Sequence, residues 1–158
     1  MSRAAEEAFR AACAQFATGV AVATVLAPDG SPHGLTISSF TSVSLEPPLI
    51  LICIDYTCSI LDHFRLNPYF AVNILSEAQQ ELSIAFSIKP EGRFEDVAWT
   101  PGPDGSPRIA GTLAYIECKI EQIHEVGDHA ILIGRARSAA SLSGTPLVYF
   151  NRSYRTLR

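Results

Sequence analysis

The sequence predicts a mainly β, antiparallel fold with a few short flanking helices, built as one domain over residues 1–158. Two observations lead to this prediction. Short apolar and β-branched runs recur along the chain with Pro- and Gly-rich turns between them. They do not alternate regularly with helical patterns, as the strands of a parallel sheet would. About six strands with two or three short helices therefore favour an antiparallel barrel with the helices packed outside.

Composition limits the classes of partner. A hydrophobic content of 47% and a positive mean hydropathy are high for a domain of 158 residues. Because small domains often bury excess apolar surface between subunits, we expect a homo-oligomer. The net charge is -4 and the sequence has no basic run, so nucleic acid and anionic membranes are not expected partners.

The N-terminus and the apolar runs indicate a cytoplasmic protein with no membrane partner. The first residues lack the basic-then-apolar pattern of a secretory signal. The longest apolar run, Leu49–Ile54, is far too short to cross a bilayer. The four cysteines show neither a CxxC pair nor a Cys/His spacing typical of a metal site, so we expect no bound metal.

The first part of the chain is predicted to form one amphipathic helix over residues 4–16 and three strands. The helix is indicated by apolar residues at helical spacing, namely Ala5, Ala8, Phe9, Ala12 and Phe16. The predicted strands are Val20–Leu26, Gly34–Val43 and Leu49–Asp55. A Pro-Asp-Gly-Ser-Pro turn separates the first two. The third is apolar throughout, and we expect it to be buried on both faces.

Two short helices follow, each predicted from a capping signature. Ser59 with Asp62 would begin a helix that ends at Leu66, and Ser76 with Gln79 would begin one that runs to about Ser87. The remaining predicted strands are Tyr69–Leu75, Ala114–Ile123, His129–Arg137 and Thr145–Phe150. Residues 88–111 carry Pro and Gly at intervals and are predicted to be a long surface excursion. In Ala114–Ile123, the face that carries Tyr115 and Glu117 is predicted to be the polar one.

Hydroxyl side chains are concentrated over residues 34–44, with six Ser and Thr residues in eleven positions. Hydroxyls and backbone N–H groups can hold a polar or anionic ligand without a lysine. This run could therefore line a ligand groove. It could equally be a half-exposed strand, since Thr favours strands.

The segment Asp55–Ser59 precedes a short helix, so a phosphate could bind there beside Thr57 and Ser59. Simple N-capping by Ser59 is the structural alternative.

His129 begins a strand after a turn and could donate to a ligand, or it could be an ordinary surface histidine. Arg93 could meet a phosphate or a partner subunit, or be a solvated arginine. Tyr154 could stack on a planar ring, or pack in the core.

Six segments in order resemble the short-chain flavin reductase family, which includes the reductase partners of two-component flavin monooxygenases. They are Phe16-Ala-Thr-Gly-Val-Ala-Val, the run from Gly34 through Ser-Ser-Phe-Thr-Ser-Val-Ser-Leu-Glu-Pro-Pro-Leu, Phe70-Ala-Val-Asn-Ile-Leu, Arg93-Phe, Gly127-Asp-His129 and Pro146-Leu-Val-Tyr-Phe. The similarity runs from about residue 9 to the C-terminus.

The resemblance implies an antiparallel Greek-key split β-barrel that binds FMN or FAD near the interface of a homodimer. By similarity, Thr36, Ile37, Ser38 and Ser39 would contact the flavin. Cys53 and Asp55 would lie along the isoalloxazine, and Thr57 and Ser59 would form the phosphate-binding turn. His129 would contact nicotinamide or flavin, and Arg93 and Tyr154 would also contact the cofactor. The turn carries no basic residue, although many relatives place one there.

The implied activity is NAD(P)H-dependent reduction of FMN or FAD, as in an NAD(P)H:flavin oxidoreductase. Hydride would pass from the nicotinamide to flavin N5, and the reduced flavin would diffuse to a separate flavin-dependent monooxygenase. Because both reacting atoms belong to cofactors, we expect no catalytic triad. Losing the side chain of Ser38, Ser39 or His129 should weaken binding or slow transfer without abolishing turnover. Two alternatives are an FMN-containing oxidoreductase with another substrate, and a non-catalytic flavin- or haem-binding barrel.

Overall fold

The computed structural model describes residues 2–88 and 92–157, and in them the chain is mainly β and antiparallel, as predicted. The helices are α1 (Arg3–Ala14), α2 (Leu61–Leu66) and α3 (Gln80–Ile88). The strands are β1 (Thr18–Gly19), β2 (Ala21–Leu26), β3 (Pro32–Ile37), β4 (Thr41–Leu45), β5 (Pro48–Asp55), β6 (Tyr69–Ile74), β7 (Trp99–Pro101), β8 (Pro107–Ile109), β9 (Ala114–Val126), β10 (His129–Ser141), β11 (Val148–Phe150) and β12 (Ser153–Arg155).

The main sheet has seven strands in the order β3-β2-β6-β9-β10-β5-β4. Its two edge strands, β3 and β4, are consecutive in the chain and are joined by residues 38–40. In a flat sheet of seven strands these edges would be roughly 29 Å apart, but a link of three residues can span at most about 14 Å. The sheet must therefore curl until its edges meet at this link. Smaller sheets are formed by β1-β11-β12 and by the β7–β8 hairpin.

The predicted strand over residues 34–43 is in fact two strands. The chain leaves the sheet after Ile37 and re-enters it at Thr41, on the opposite edge. A single strand would have kept all the hydroxyl side chains on one edge. Dividing it instead places Ser38 and Ser39 at the seam between the two edges.

Two apolar clusters use the two faces of β2. Ala21, Ala23 and Val25 point into the larger cluster, together with Ile52, Phe64, Phe70 and Leu132 among others. Val20 and Val22 point into the smaller cluster, with Leu75, Phe86 and Leu147. Strand β5 is less buried than predicted, because only its Ile50, Ile52 and Ile54 face is fully buried and the other face is half-buried.

The predicted polar face of β9 is buried at its start, whereas Lys119 and Glu121 farther along the same face are exposed, as predicted. Tyr115 is 3% exposed and Glu117 is fully buried. They are covered because residues 88–111 are not wholly a surface excursion: the β7–β8 hairpin lies over this face, and Glu117 accepts hydrogen bonds from the backbone N–H groups of Asp104 (3.0 Å) and Ser106 (2.8 Å). The carboxylate thus holds the turn of the hairpin that covers it.

Asn73 fastens the same hairpin to β6 and β2. Its Nδ2 donates to the carbonyl oxygens of Val22 (3.2 Å) and Pro107 (3.3 Å) and to Thr24 Oγ1 (3.1 Å). Its Oδ1 accepts from the N–H of Ile109 at 2.9 Å. A buried polar group without hydrogen-bond partners is destabilising, because its lost contacts with water are not replaced. The amide of Asn73 therefore strongly favours the observed position of the hairpin.

The predicted helices form, with two differences. Helix α1 has no buried residue, so its apolar side is exposed within the described chain. Helix α2 has Ile60 at its N-cap with no side-chain cap, so the predicted capping by Ser59 and Asp62 is wrong. The capping box of Ser76 and Gln79 is confirmed, and it opens a 3₁₀ turn that continues into α3. None of the helices in the described residues is long and apolar enough to cross a membrane.

Replacing Asn73 by Asp tests the role of the buried amide. The change keeps the shape but turns the donor toward Val22 and Pro107 into an acceptor, so we expect it to lower the free energy of unfolding by at least about 2 kcal/mol. Urea denaturation measures this. Asn151→Asp, in the exposed turn between β11 and β12, is the control and should cost less than about 0.5 kcal/mol. Equal stabilities for the two variants would contradict the assignment.

Candidate functional site

A groove of two adjoining cavities, of about 180 and 450 Å³, runs along the outer edge of β3. Thr36 and Ser87 line both cavities. The smaller is otherwise lined by Val20, Ile37, Ser38, Tyr149 and Tyr154. The larger is otherwise lined by Leu35, Asp55, Thr57, Cys58, Ser59, Phe86, Ile88 and Arg93. Strand β3, the turn after β5 and helix α3 therefore form its walls.

The seam of the sheet fixes the serines of the groove. Ser39 Oγ donates to the carbonyl of Cys53 and accepts from its N–H, both at 3.0 Å. The hydroxyl of Ser39 thus makes the two hydrogen bonds to Cys53 that the backbone of a neighbouring strand would otherwise make. Ser38, the next residue back, is exposed and lines the smaller cavity. The two serines have different tasks: Ser39 holds the seam and Ser38 faces the groove.

Hydroxyl groups at the middle of the groove are tied to α3. Thr36 Oγ1 donates to the carbonyl of Ser83 at 2.6 Å, and Ser83 Oγ lies 2.8 Å from the hydroxyl of Tyr154. The ring of Tyr154 packs edge-on against Tyr149, with centroids 5.3 Å apart. These contacts orient Thr36 and Tyr154 and leave acceptor lone pairs on the threonine hydroxyl for a ligand.

The turn that follows β5 is held by hydrogen bonds to the carboxylate of Asp55, its first residue. Asp55 Oδ1 accepts from both the N–H and the hydroxyl of Thr57, each at 2.7 Å, and these bonds lower the pKa of Asp55. The carboxylate charge within hydrogen-bond distance of Thr57 opposes an anion there. Ser59, which the sequence suggested as a cap, is exposed instead and lines the larger cavity.

A cation reaches this turn from a distant part of the chain. Arg93 lines the larger cavity together with Thr57 and Ser59, and its guanidinium donates to the carbonyl of Gly34 on β3. Partial burial lowers the pKa of Arg93 from its ordinary value, although the side chain stays charged at neutral pH. The positive charge missing from residues 55–59 is therefore supplied from residue 93.

His129 lies beside the groove rather than in it. In the pairing of β10 with β5 it is directly opposite Asp55. Its Nδ1 is 2.6 Å from Asp128 Oδ1, and this contact lowers the pKa of Asp128. The histidine is thus held at the rim, next to the turn that closes the larger cavity.

The structure brings together eight of the eleven predicted site residues in the lining of the groove, namely Thr36, Ile37, Ser38, Asp55, Thr57, Ser59, Arg93 and Tyr154. Ser39, Cys53 and His129 lie next to it. Sequence reasoning did not predict the other lining residues, among which Ser87 and Tyr149 bring polar groups to the groove. Tyr149 lies in the Pro146-Leu-Val-Tyr-Phe segment, so the resemblance could have indicated it. The helical pattern alone does not single out Ser87, because neighbouring residues of a helix are rotated by about 100° from one another.

The lining of this groove suits a long ligand with three different parts. Val20, Ile37 and Tyr149 offer an apolar surface to a planar ring system. Several hydroxyls in the middle can bind a polyol chain. Arg93 offers charge-assisted hydrogen bonds to an anion at the end of the larger cavity.

Residues 13–158 match the family model described as flavin reductase like domain. The chain is 41% identical over 152 residues to the stachydrine N-demethylase reductase subunit Stc3 of Rhizobium meliloti, covering 96% of this chain and 64% of that protein. It therefore spans less than two thirds of this relative. It is also 41% identical over 141 residues to the FMN reductase (NADH) SmoA of Agrobacterium fabrum, covering 89% of this chain and 80% of the relative.

A solved structure has the same fold. The NADH:FAD oxidoreductase SgcE6 of Streptomyces globisporus C-1027 superimposes with a TM-score of 0.92 at 33% sequence identity. The match covers 100% of this chain and 96% of that one. Fold similarity therefore extends over the main sheet, the flanking helices and the groove.

The neighbouring serines Ser38 and Ser39 form a matched pair for a stability test. Ser39→Ala removes both hydrogen bonds to Cys53 and should lower the free energy of unfolding by about 1–2 kcal/mol. Ser38→Ala removes an exposed hydroxyl and should change it by less than about 0.5 kcal/mol. Thermal and urea denaturation of both variants would measure the difference. A larger loss in Ser38→Ala would show that the seam is held in another way.

Proposed function

The chain belongs to the flavin reductase-like family, and from this premise we propose that it uses NADH or NADPH to reduce FMN or FAD. One observation of the structure supports this most directly: Arg93 closes the end of a groove that is lined, apart from Asp55, by hydroxyl-bearing and largely apolar side chains. A flavin nucleotide has the matching order of parts, namely a planar ring, a ribityl chain and a phosphate. The donor set therefore fits the cofactor that the family name implies.

Each part of the groove would hold one part of the flavin. Thr36, Ile37 and Ser38 would contact the ring and the ribityl chain, with Tyr154 at the ring end. Thr57, Ser59 and Arg93 would hold the phosphate, with Arg93 carrying the positive charge. Cys53, near the end of β5, would lie beside the ring. Asp55, which the resemblance also placed along the ring, would instead lie at the phosphate end, because it lines the larger cavity and accepts from Thr57.

When bound, flavin and nicotinamide supply the redox chemistry, since hydride passes from nicotinamide C4 to flavin N5. The chain's own task is to hold the two rings in contact and exclude water from the gap between them. Backbone N–H groups of the link and of β3 can support charge that develops on the flavin ring. His129 is placed at the rim next to Asp55, where it could orient the nicotinamide. No single side chain in this proposal carries the hydride, so loss of one should slow turnover rather than abolish it.

A homodimer belongs to the same proposal. Phe9 and Phe16 of the α1 region are 63% and 78% exposed, and α1 has no buried residue within the described chain. A cavity of about 400 Å³ between α1 and the β11–β12 turn shares Ser38 and Tyr149 with the groove. A second copy that covers this apolar surface would therefore lie next to the flavin site.

The relatives that are reductase subunits suggest the fate of the product. We propose that reduced flavin leaves this chain and diffuses to a separate flavin-dependent monooxygenase, so that the reductase needs no docking site for the oxygenase. The cytoplasm, where NADH and NADPH are available, is the proposed location.

Oxidation of NADH and NADPH by the purified protein, followed at 340 nm with added riboflavin, FMN or FAD, tests the activity. We expect turnover that rises and saturates with flavin. Bound flavin without oxidation of either nicotinamide would contradict the proposal and favour a carrier or an oxidoreductase with another substrate.

Arg93→Gln should raise the KM for FMN about tenfold or more, since a charged hydrogen bond to phosphate is lost. Its KM for riboflavin, which has no phosphate, should not change, and Arg3→Gln on the surface of α1 is the matched control.

Sedimentation velocity tests the dimer. The wild-type chain should sediment as a dimer, and Phe9→Ser combined with Phe16→Ser should shift it toward monomer, because two large apolar side chains leave the interface. Glu7→Ser, on the opposite side of α1, should leave the distribution unchanged. A wild-type monomer, or a double variant that stays dimeric, would rule out α1 as the interface.

A further inference from the structure

A third cavity, of about 240 Å³, lies beyond Arg93 at the far end of the groove. It is lined by Ser31, Pro32, His33, Gly34, Ile60, Gly92, Arg93, Phe94 and Glu95. None of these residues except Arg93 lines either part of the groove described above. The cavity therefore has its own walls and is joined to the groove through one side chain.

Strand β3 runs along both spaces. Leu35 and Thr36 line the larger cavity of the groove, and the preceding His33 and Gly34 line the third cavity. Arg93 is bound to the carbonyl of Gly34, where the two meet. Because a strand advances about 3.3 Å per residue, residues 31–33 extend this edge by roughly 10 Å beyond the arginine. A ligand whose phosphate is at Arg93 can continue along the same edge.

His33 offers this cavity a flat ring with a defined tautomer. Ser31 Oγ donates its proton to Asp29 Oδ1 at 2.6 Å and lies 3.1 Å from His33 Nε2. The serine can therefore only accept from the ring, so Nε2 carries the proton and Nδ1 remains an acceptor. His63 packs on His33 with ring centroids 4.3 Å apart and fixes its plane.

The charge in the cavity is balanced rather than positive. Arg93 stands at the junction, and Glu95 is in the wall close to Gly92. A carboxylate and an imidazole Nδ1 both accept hydrogen bonds, so they suit a ligand that presents amino or hydroxyl donors. Burial and the neighbouring His63 lower the pKa of His33, which keeps the ring neutral. A second phosphate inside the cavity would meet the charge of Glu95.

We propose that this cavity binds the adenosine part of FAD, so that the chain prefers FAD to FMN. The inference rests on the proposed function, because it places the far half of the same ligand. Arg93 would lie at the diphosphate, His33 and the apolar side chains of Pro32, Ile60 and Phe94 would contact the base, and Glu95 would accept from donors of the nucleoside. NADH also contains adenosine, but the shared arginine and the shared strand place this cavity in line with the flavin phosphate.

Flavin fluorescence titrations of the full chain test the proposal. We expect FAD to bind about tenfold more tightly than FMN, and His33→Ala to remove this advantage while the affinities for FMN and riboflavin stay the same. Unchanged FMN binding also shows that the variant is folded. His124→Ala, an exposed histidine of β9, is the matched control and should leave all three affinities unchanged. Free adenosine should compete with FAD but not with FMN.

The other outcomes overturn the proposal in distinguishable ways. Equal affinities for FMN and FAD, or equal losses for both in His33→Ala, would show that the adenosine part does not use this cavity. Adenosine that lowers the affinity for NADH and leaves that for FAD unchanged would assign the cavity to the nicotinamide dinucleotide. Failure of every flavin to bind would instead reject the proposed function itself, since FMN does not need this cavity.

Discussion

The three residues between Ile37 and Thr41 are the constraint on which the rest of this structure depends. They join the two edges of a seven-stranded sheet, and so short a link forces the sheet to close on itself. Ser39 then binds the N–H and the carbonyl of Cys53 with one hydroxyl, which holds the seam without a full row of strand hydrogen bonds. Beyond this contact, the outer edge of β3 is left open and lines the groove. The proposed flavin site lies in that opening.

The β7–β8 hairpin covers the face of the sheet formed by β2, β6 and β9, and buried polar side chains of these strands hold it there. Asn73, Thr24 and Glu117 are buried under the β7–β8 hairpin, and each binds backbone groups of the hairpin or its turn. Apolar contacts alone are not directional, so they would not fix the position of the covering segment. Directed hydrogen bonds instead fix where the hairpin lies. The hairpin belongs to the same excursion that carries Arg93, so its position helps to bring the arginine to the groove.

Local patterns predicted most of the elements, because propensity, capping and alternation act over a few residues. The helix opened by Ser76 and Gln79 and the strand Ala21–Leu26 are examples. Errors arose where the outcome depends on distant contacts. Alternation in β9 correctly indicated two faces, but it could not show that a hairpin would cover Glu117. Likewise, the serine-rich run is a good strand by composition, and only the closure of the sheet explains why it divides at Ser38.

The candidate site was predictable to a similar extent. Resemblance identified the residues of β3 and of the turn after β5. That turn carries no cation of its own, and Arg93 lies 34 positions after Ser59 in the sequence. The fold supplies the cation, Arg93, but it also places negative charge nearby. Asp55 lies in the same cavity, and Asp128 lies next to His129 at its rim. One arginine among these carboxylates gives a phosphate site with little net positive charge. We expect such a site to bind flavin nucleotides reversibly, as the proposed release of reduced flavin would require.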